Sequence, residues 1–82
     1  MAIPFVTDAR YEGGYRLWLQ FSDGSTGIAD LSSELYGEVF EPLKDESKFK
    51  QFKINKDFGT LEWDSGADFA PEFLRRAIRT AA

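Results

Sequence analysis

The chain has 82 residues, of which 43% are hydrophobic and 16% aromatic, and its formal net charge is −4. It contains no cysteine and no histidine, which excludes disulfides, thiolate metal sites and the usual general base near neutral pH. No apolar run approaches the roughly 18 residues of a membrane span, and no secretory signal is visible at the amino terminus. We therefore expect a cytoplasmic protein that neither crosses nor binds a membrane.

The first predicted strand covers residues 3–11. Phe5, Ala9 and Tyr11 recur at even spacing along it and would therefore share one face of a sheet. A turn at Gly13-Gly14 follows, because paired glycines accept positive φ angles without strain.

The second predicted strand, residues 15–21, has the clearest pattern. Its odd-numbered apolar residues face one way and its even-numbered residues, including Trp18, face the other, which is typical of a sheet with one wet face. Asp23-Gly24 then predicts a type I′ hairpin turn with a positive φ at both residues. Residues 26–31 return as a third strand, so the first 31 residues are predicted to form an antiparallel meander.

Shorter elements are predicted in the second half of the chain. Residues 45–52 indicate a short helix with Asp45 as its cap. Residues 53–55 and 60–63 indicate a strand pair. A terminal helix begins at Pro71, where the missing proline N–H is no loss. The fold class is therefore α+β, with a small antiparallel sheet, a short middle helix and a C-terminal helix in a single domain over residues 1–82.

The stretch that leads into the terminal helix holds most of the candidate residues. Trp63 is expected to be buried where the sheet meets the helix. Gly66 is expected to take a positive φ, and Asp68 to approach the free N–H groups at the start of the helix. Asp64 and Asp68 flank a glycine, but their spacing does not match a calcium loop, so we expect no metal. Arg75 lies toward the negative end of the helix dipole.

Two further features indicate binding rather than catalysis. Trp18 is expected either to be covered by the carboxy-terminal segment or to be exposed as an anchor for a partner. The lysines of residues 44–56 form either a nucleic-acid patch or the solvated face of a short helix. No nucleophile and base can be paired, so we expect no enzyme and no cofactor.

Several motifs keep a regular order and spacing over nearly the whole chain. They are Leu17-x-Leu19-x-Phe21-Ser22-Asp23-Gly24, Ala29-Asp30-Leu31, Phe40-x-x-Leu43-Lys44-Asp45, Phe49, and Gly59-Thr60-Leu61-Glu62-Trp63-x-x-Gly66-Ala67-Asp68-x-x-Pro71-Glu72-x-Leu74. Together they resemble the bacterial domain-of-unknown-function family 2442. The resemblance implies a small α+β fold with an antiparallel sheet and a terminal helix, and no known enzymatic activity. It also implies that members are partners of small toxin-like proteins.

By analogy with this family, the resemblance implies an antitoxin-like protein-interaction module. Residues 1–43 carry seven acids and two bases, and this acidic half suits a small, basic protein partner. We expect the module itself to be a monomer or a weak homodimer. The alternatives are a nucleic-acid-binding or regulatory domain that uses Lys44–Lys56 and the C-terminal arginines, which the net negative charge disfavours, and a small-ligand domain with a pocket near Asp64 and Asp68.

Overall fold

The computed structural model of the protein describes residues 4–80, without the side chains of residues 79 and 80. Within this range, six strands and two α-helices form two small antiparallel sheets, which confirms the α+β class. The elements are β1 (Val6–Tyr11), β2 (Arg16–Phe21), β3 (Thr26–Asp30), α1 (Glu46–Phe49), β4 (Lys53–Asn55), β5 (Thr60–Glu62), β6 (Asp68–Phe69) and α2 (Pro71–Thr80). Short 3-10 turns at Ser32–Glu34 and Glu41–Lys44 connect the two halves. The predicted start of the first strand at Ile3 lies outside the described residues.

The strands divide into a β1-β2-β3 meander and a β4-β5-β6 sheet. The sequence predicts the meander and the β4–β5 pair, but it does not predict β6, whose two residues are too short for a pattern. Leu61 of β5 pairs with Phe69 of β6, so the strand pair becomes a sheet of its own. The two sheets meet where the Val6 N–H donates to the Gly59 carbonyl at 3.1 Å.

A bulge in β1 changes which residues face the core. The pairing with β2 shifts register between Val6 and Asp8, and one extra residue in a strand moves the alternation to the other face. Val6 is therefore buried, on the same side as the partly buried Ala9. The prediction that Phe5 shares this face is wrong, since the Phe5 side chain is 45% exposed.

The hairpin between β2 and β3 uses a different turn from the predicted one. Gly24 has the expected positive φ of 87°, but Asp23 does not, because every positive φ among the described residues belongs to glycine. The Gly24 N–H donates to the Phe21 carbonyl and the Phe21 N–H to the Ser25 carbonyl. This pattern belongs to a three-residue loop that ends in a left-handed glycine, not to a two-residue type I′ turn.

Helix α2 packs on the inner face of the meander. The i, i+1, i+4, i+5 spacing of Phe73, Leu74, Ala77 and Ile78 predicts an apolar stripe on this helix. The stripe is confirmed, because Leu74 and Ile78 are buried and Phe73 and Ala77 pack against the core. The helix comes so near β3 that a Cβ atom added to Gly27 would lie 2.9 Å from the Ile78 Cβ. The predicted cap of α1 is also confirmed, since the Asp45 carboxylate accepts the Ser47 N–H at 3.0 Å.

We predict that Gly59→Ala destabilises the protein more than Gly24→Ala. Both glycines have positive φ angles, 69° and 87°, so a side chain at either position costs about 1 kcal/mol through backbone strain alone. A Cβ on Gly59 would also overlap the Phe5 side chain, whereas a Cβ on Gly24 would meet no atom within 4 Å. Urea unfolding of the two variants measures the difference. Equal losses would show that the junction between Phe5 and Gly59 is not tightly packed.

Candidate functional site

Trp63 has the expected buried position and lies at the centre of a group of aromatic rings. Its side chain is 5% exposed, and its indole Nε1–H donates to the Phe49 carbonyl at 2.7 Å. The ring stacks on Phe49 at a centroid distance of 5.7 Å and meets Phe69 edge-on at the same distance. A buried indole that has both a hydrogen-bond partner and ring partners is part of the core, so Trp63 is not available as a binding anchor.

The hairpin that follows Trp63 holds two more candidate residues, Asp64 and Gly66. The Trp63 N–H donates to the Ala67 carbonyl and the Gly66 N–H to the Trp63 carbonyl. This is the same turn as the one after β2, and Gly66 has the expected positive φ of 94°. Asp64 projects from the turn and forms an ion pair with Lys53 at 2.8 Å, which raises the pKa of the Lys53 amine.

The expected role of Asp68 at the start of the terminal helix is wrong. Asp68 lies in β6 opposite Glu62, and α2 begins three residues later at Pro71. The backbone stays extended at this point because Phe69 is buried against the core while it pairs with Leu61. Asp68 is therefore an exposed acid beside the turn.

Arg75 and Pro71 have structural positions in α2. Pro71 is the first helical residue, as predicted. The Arg75 guanidinium does not contact Asp64. It donates to one carboxylate oxygen of Asp23 in the β2–β3 turn, from Nε at 3.2 Å and from Nη2 at 3.1 Å. Hydrogen bonds from the hydroxyl and the N–H of Ser25, together with Arg75, lower the pKa of Asp23 to about 2. The Arg75–Asp23 ion pair thus connects α2 to the meander.

Trp18 lies on the outer face of the meander, away from α2. The Arg10 guanidinium lies 4.9 Å from the centre of its ring, and Ile28 is its neighbour on β3. The prediction that the carboxy-terminal segment covers Trp18 is wrong for the described part of that segment. Helix α2 contacts the opposite face, at Gly27. The Trp18 side chain is half-buried between its cross-strand neighbours.

One exposed surface is not found by the sequence reasoning. Tyr36 is 69% exposed and Val39 is 43% exposed, and their loop lies against the β5–β6 turn, where the Ser65 hydroxyl donates to the Val39 carbonyl at 2.8 Å. We call residues 36–39 together with residues 64–66 the acidic ridge, because Glu38 and Asp64 are exposed within it. The sequence signal that could have indicated this surface is the pair Tyr36 and Val39 among acidic residues, in a stretch without the period of a strand or a helix.

Two of the five lysines of residues 44–56 are paired with acids, and a cavity of about 220 Å³ lies beside Asp64, lined also by Trp63 and Lys48. Lys44 and Lys53 are held in ion pairs with Glu41 and Asp64 at 3.2 and 2.8 Å. A second cavity, about 480 Å³, is an open groove between the end of β3 and α2. Within residues 4–80, no three metal-ligating side chains converge, and no helix has the length and apolarity that a membrane crossing requires.

Comparison with known proteins gives one result. Residues 6–80 match the model of a family described as "Protein of unknown function (DUF2442)". No curated protein and no solved structure matches the chain significantly.

We predict that Trp63→Phe costs about 1–3 kcal/mol of unfolding free energy. The variant keeps the ring contacts but leaves the buried Phe49 carbonyl without its 2.7 Å partner. Trp63→Ala also removes the ring and should cost roughly 3–5 kcal/mol. Urea unfolding gives both values, and Trp18→Phe on the outer face serves as the control with a smaller loss. A Trp63→Phe variant as stable as the parent would contradict the role of the hydrogen bond.

We also predict an acid-dependent loss of stability that depends on Asp23. Its pKa in the folded protein, about 2, is below the usual 3.8, so its stabilising effect is complete above pH 4 and disappears as the pH falls toward 2. Asp23→Asn should flatten the fall in unfolding free energy over this interval, and Ser25→Ala should flatten it in part. Urea unfolding at several pH values measures the slopes. An unchanged slope for Asp23→Asn would contradict the prediction.

Proposed function

Because the chain belongs to the DUF2442 family, a family of unknown function, we propose that it is a protein-interaction module without catalytic activity. The match over residues 6–80 confirms the resemblance indicated by the sequence motifs. That resemblance implies small toxin-like partners, so the proposed role is antitoxin-like and the proposed location is the cytoplasm.

The exposed tyrosine of the acidic ridge is the observation that carries this proposal. Tyr36 is 69% exposed, so its ring contributes little to the stability of the isolated protein. Tyrosine is enriched in protein interfaces, because it adds contact area at a small entropy cost. Val39 adds apolar surface next to it. The loop is also anchored, by the hydrogen bond from Ser65 to the Val39 carbonyl, and a preorganised surface loses less entropy on binding.

The charge of the ridge supports a basic partner. Glu38 is exposed and forms no ion pair with any residue in the described range. Asp64 is 82% exposed at its side chain, although Lys53 partly compensates its charge. Residues 1–43 as a whole carry a net charge of −5 from seven acids and two bases. Complementary charge accelerates association and selects among partners.

The electrostatics of the described residues also favour binding over catalysis. No polar or charged residue is buried in the core among residues 4–78, whose burial the structure describes. The lowered carboxylate pKa values belong to Asp23, Asp30 and Asp45, and hydrogen bonds from serines two residues later in exposed turns are their main cause. Catalytic groups are usually perturbed by burial in a cleft, and these three are not.

We predict that the tagged protein, isolated from an extract of its own cells, carries one small basic protein in stoichiometric amount. Tyr36→Ala and Glu38→Lys should each reduce the recovery of this partner and weaken the purified complex, in the case of Glu38→Lys by at least about tenfold at low salt. Glu12→Lys, with the same charge change in the turn between β1 and β2, is the matched control and should keep the partner.

Two outcomes of this experiment would overturn the proposal. In the first, the ridge variants and the control retain the partner equally, so the ridge is not the interface. In the second, nucleic acid is recovered instead, and fluorescence anisotropy with mixed-sequence DNA and RNA shows submicromolar, salt-sensitive binding. We expect nucleic-acid affinity no tighter than about 10 μM at physiological salt, because the net charge is −4.

A further inference from the structure

The outer edge of β3 presents backbone groups that have no partner within the described residues. The Phe21 N–H donates to the Ser25 carbonyl, and the Leu31 N–H donates to the Tyr15 carbonyl. Hydrogen-bonded and non-hydrogen-bonded pairs alternate along an antiparallel ladder. Between these two bonds, the backbone N–H and C=O groups of Gly27 and Ala29 are therefore the ones that point toward β2. Thr26, Ile28 and Asp30 therefore point their N–H and C=O groups away from the sheet, and no described backbone or side-chain group bonds to these N–H and C=O groups.

The other sheet edges are partly blocked or short. On β1, the Val6 N–H bonds to the Gly59 carbonyl at 3.1 Å, and the Ala9 N–H bonds to the Asp8 carboxylate at 2.8 Å. The edge strands of the second sheet, β4 and β6, contain three and two residues. The five-residue β3 is the longest strand with an open edge in the described range.

Strand β3 has few of the features that normally protect an edge, since its one charged residue, Asp30, lies at its end. Its sequence, Thr26-Gly27-Ile28-Ala29-Asp30, contains no lysine and no proline. Its pairing with β2 runs in regular register without a bulge. Such an edge is a template for a further strand. Helix α2 contacts β3 at Gly27 on the inner face, and no described hydrogen bond joins it to the outward backbone groups of β3.

We propose that β3 pairs antiparallel with β3 of a second copy of this chain, centred on Ile28. In this register Ile28 lies opposite Ile28 of the second copy, and Thr26 lies opposite Asp30, so no like charges face each other. Within each sheet Asp30 already has Arg16 as its neighbour on β2. The two meanders become one six-stranded sheet, with a two-fold axis that makes the same edge serve both copies.

The side chains of the outer face support this pairing. Trp18 and Ile28 are cross-strand neighbours on β2 and β3, so the pairing places two isoleucines between two tryptophans in one row across the extended sheet. Such apolar cross-strand neighbours stabilise a sheet. The contact is small, five residues per copy, which indicates a weak dimer that forms at high concentration. It uses none of the residues of the acidic ridge and is independent of the proposed partner.

Proline at position 28 gives a selective test. The Ile28 N–H points outward, so Ile28→Pro removes a donor for the second copy and leaves the β2–β3 hydrogen bonds intact. Ile28→Thr is the matched control, because threonine keeps the N–H and the β-branched shape. Thr26→Pro, which also removes an outward N–H, replaces Ile28→Pro if circular dichroism shows that the first variant does not fold.

Sedimentation equilibrium over protein concentrations from about 10 μM to about 1 mM measures the association. The parent mass should rise from 9.3 kDa toward twice that value, and Ile28→Thr should associate as the parent does or within about threefold, whereas a folded proline variant should lose at least about tenfold in association constant. In the parent, amide exchange of Thr26 and Ile28 should slow as the concentration rises. A parent that stays monomeric at about 1 mM, or a dimer that both proline variants leave unchanged, would overturn the proposal.

Discussion

The fold depends on the contact between Trp63 and the short helix α1. The indole donates to the Phe49 carbonyl at the end of that helix while its ring stacks on the Phe49 ring. From this pair, ring contacts extend to Tyr15 beside β2 at 5.4 Å and, through Phe69, to Phe73 of α2 at 5.2 Å. One continuous series of aromatic rings therefore connects both sheets and both helices. A chain of 82 residues buries only a limited fraction of its surface on folding. Large aromatic rings bury enough apolar area per residue to form a stable core.

The elements that could be predicted are those whose pattern is local. The alternation of β2, the cap of α1 and the stripe of α2 each need only a few neighbouring residues, and all three occur as predicted. The bulge in β1 could not be predicted, because Phe5 and Val6 are both apolar and only pairing with β2 decides which one is buried. Strand β6 could not be predicted either, since two residues carry no period and its backbone is held by pairing with β5.

The candidate residues differ in whether their positions depend on neighbouring residues or on contacts distant in sequence. Gly66 and Pro71 follow from local backbone requirements. Pro71 begins α2 as predicted, and Gly66 has the predicted positive φ, although it lies in the β5–β6 hairpin and not in a turn that leads directly into the helix. The partner of Arg75 is 52 residues away in the β2–β3 turn, so helix-dipole reasoning alone could not find it. The ridge around Tyr36 joins two loops that are remote in sequence, and aperiodic loops give no indication of what they lie against.

The close approach of α2 to Gly27 has a consequence for synthesis on the ribosome. The meander is complete as a chain at Asp30, yet its inner apolar face is covered by Leu74 and Ile78. Nearly fifty further residues must therefore be translated before α2 can cover that face, a delay of several seconds at elongation rates of about 5–20 residues per second. Once the meander has left the ribosome, Leu17, Leu19 and Phe21 have no cover from α2 until synthesis ends, and such transiently exposed apolar surface is prone to aggregate.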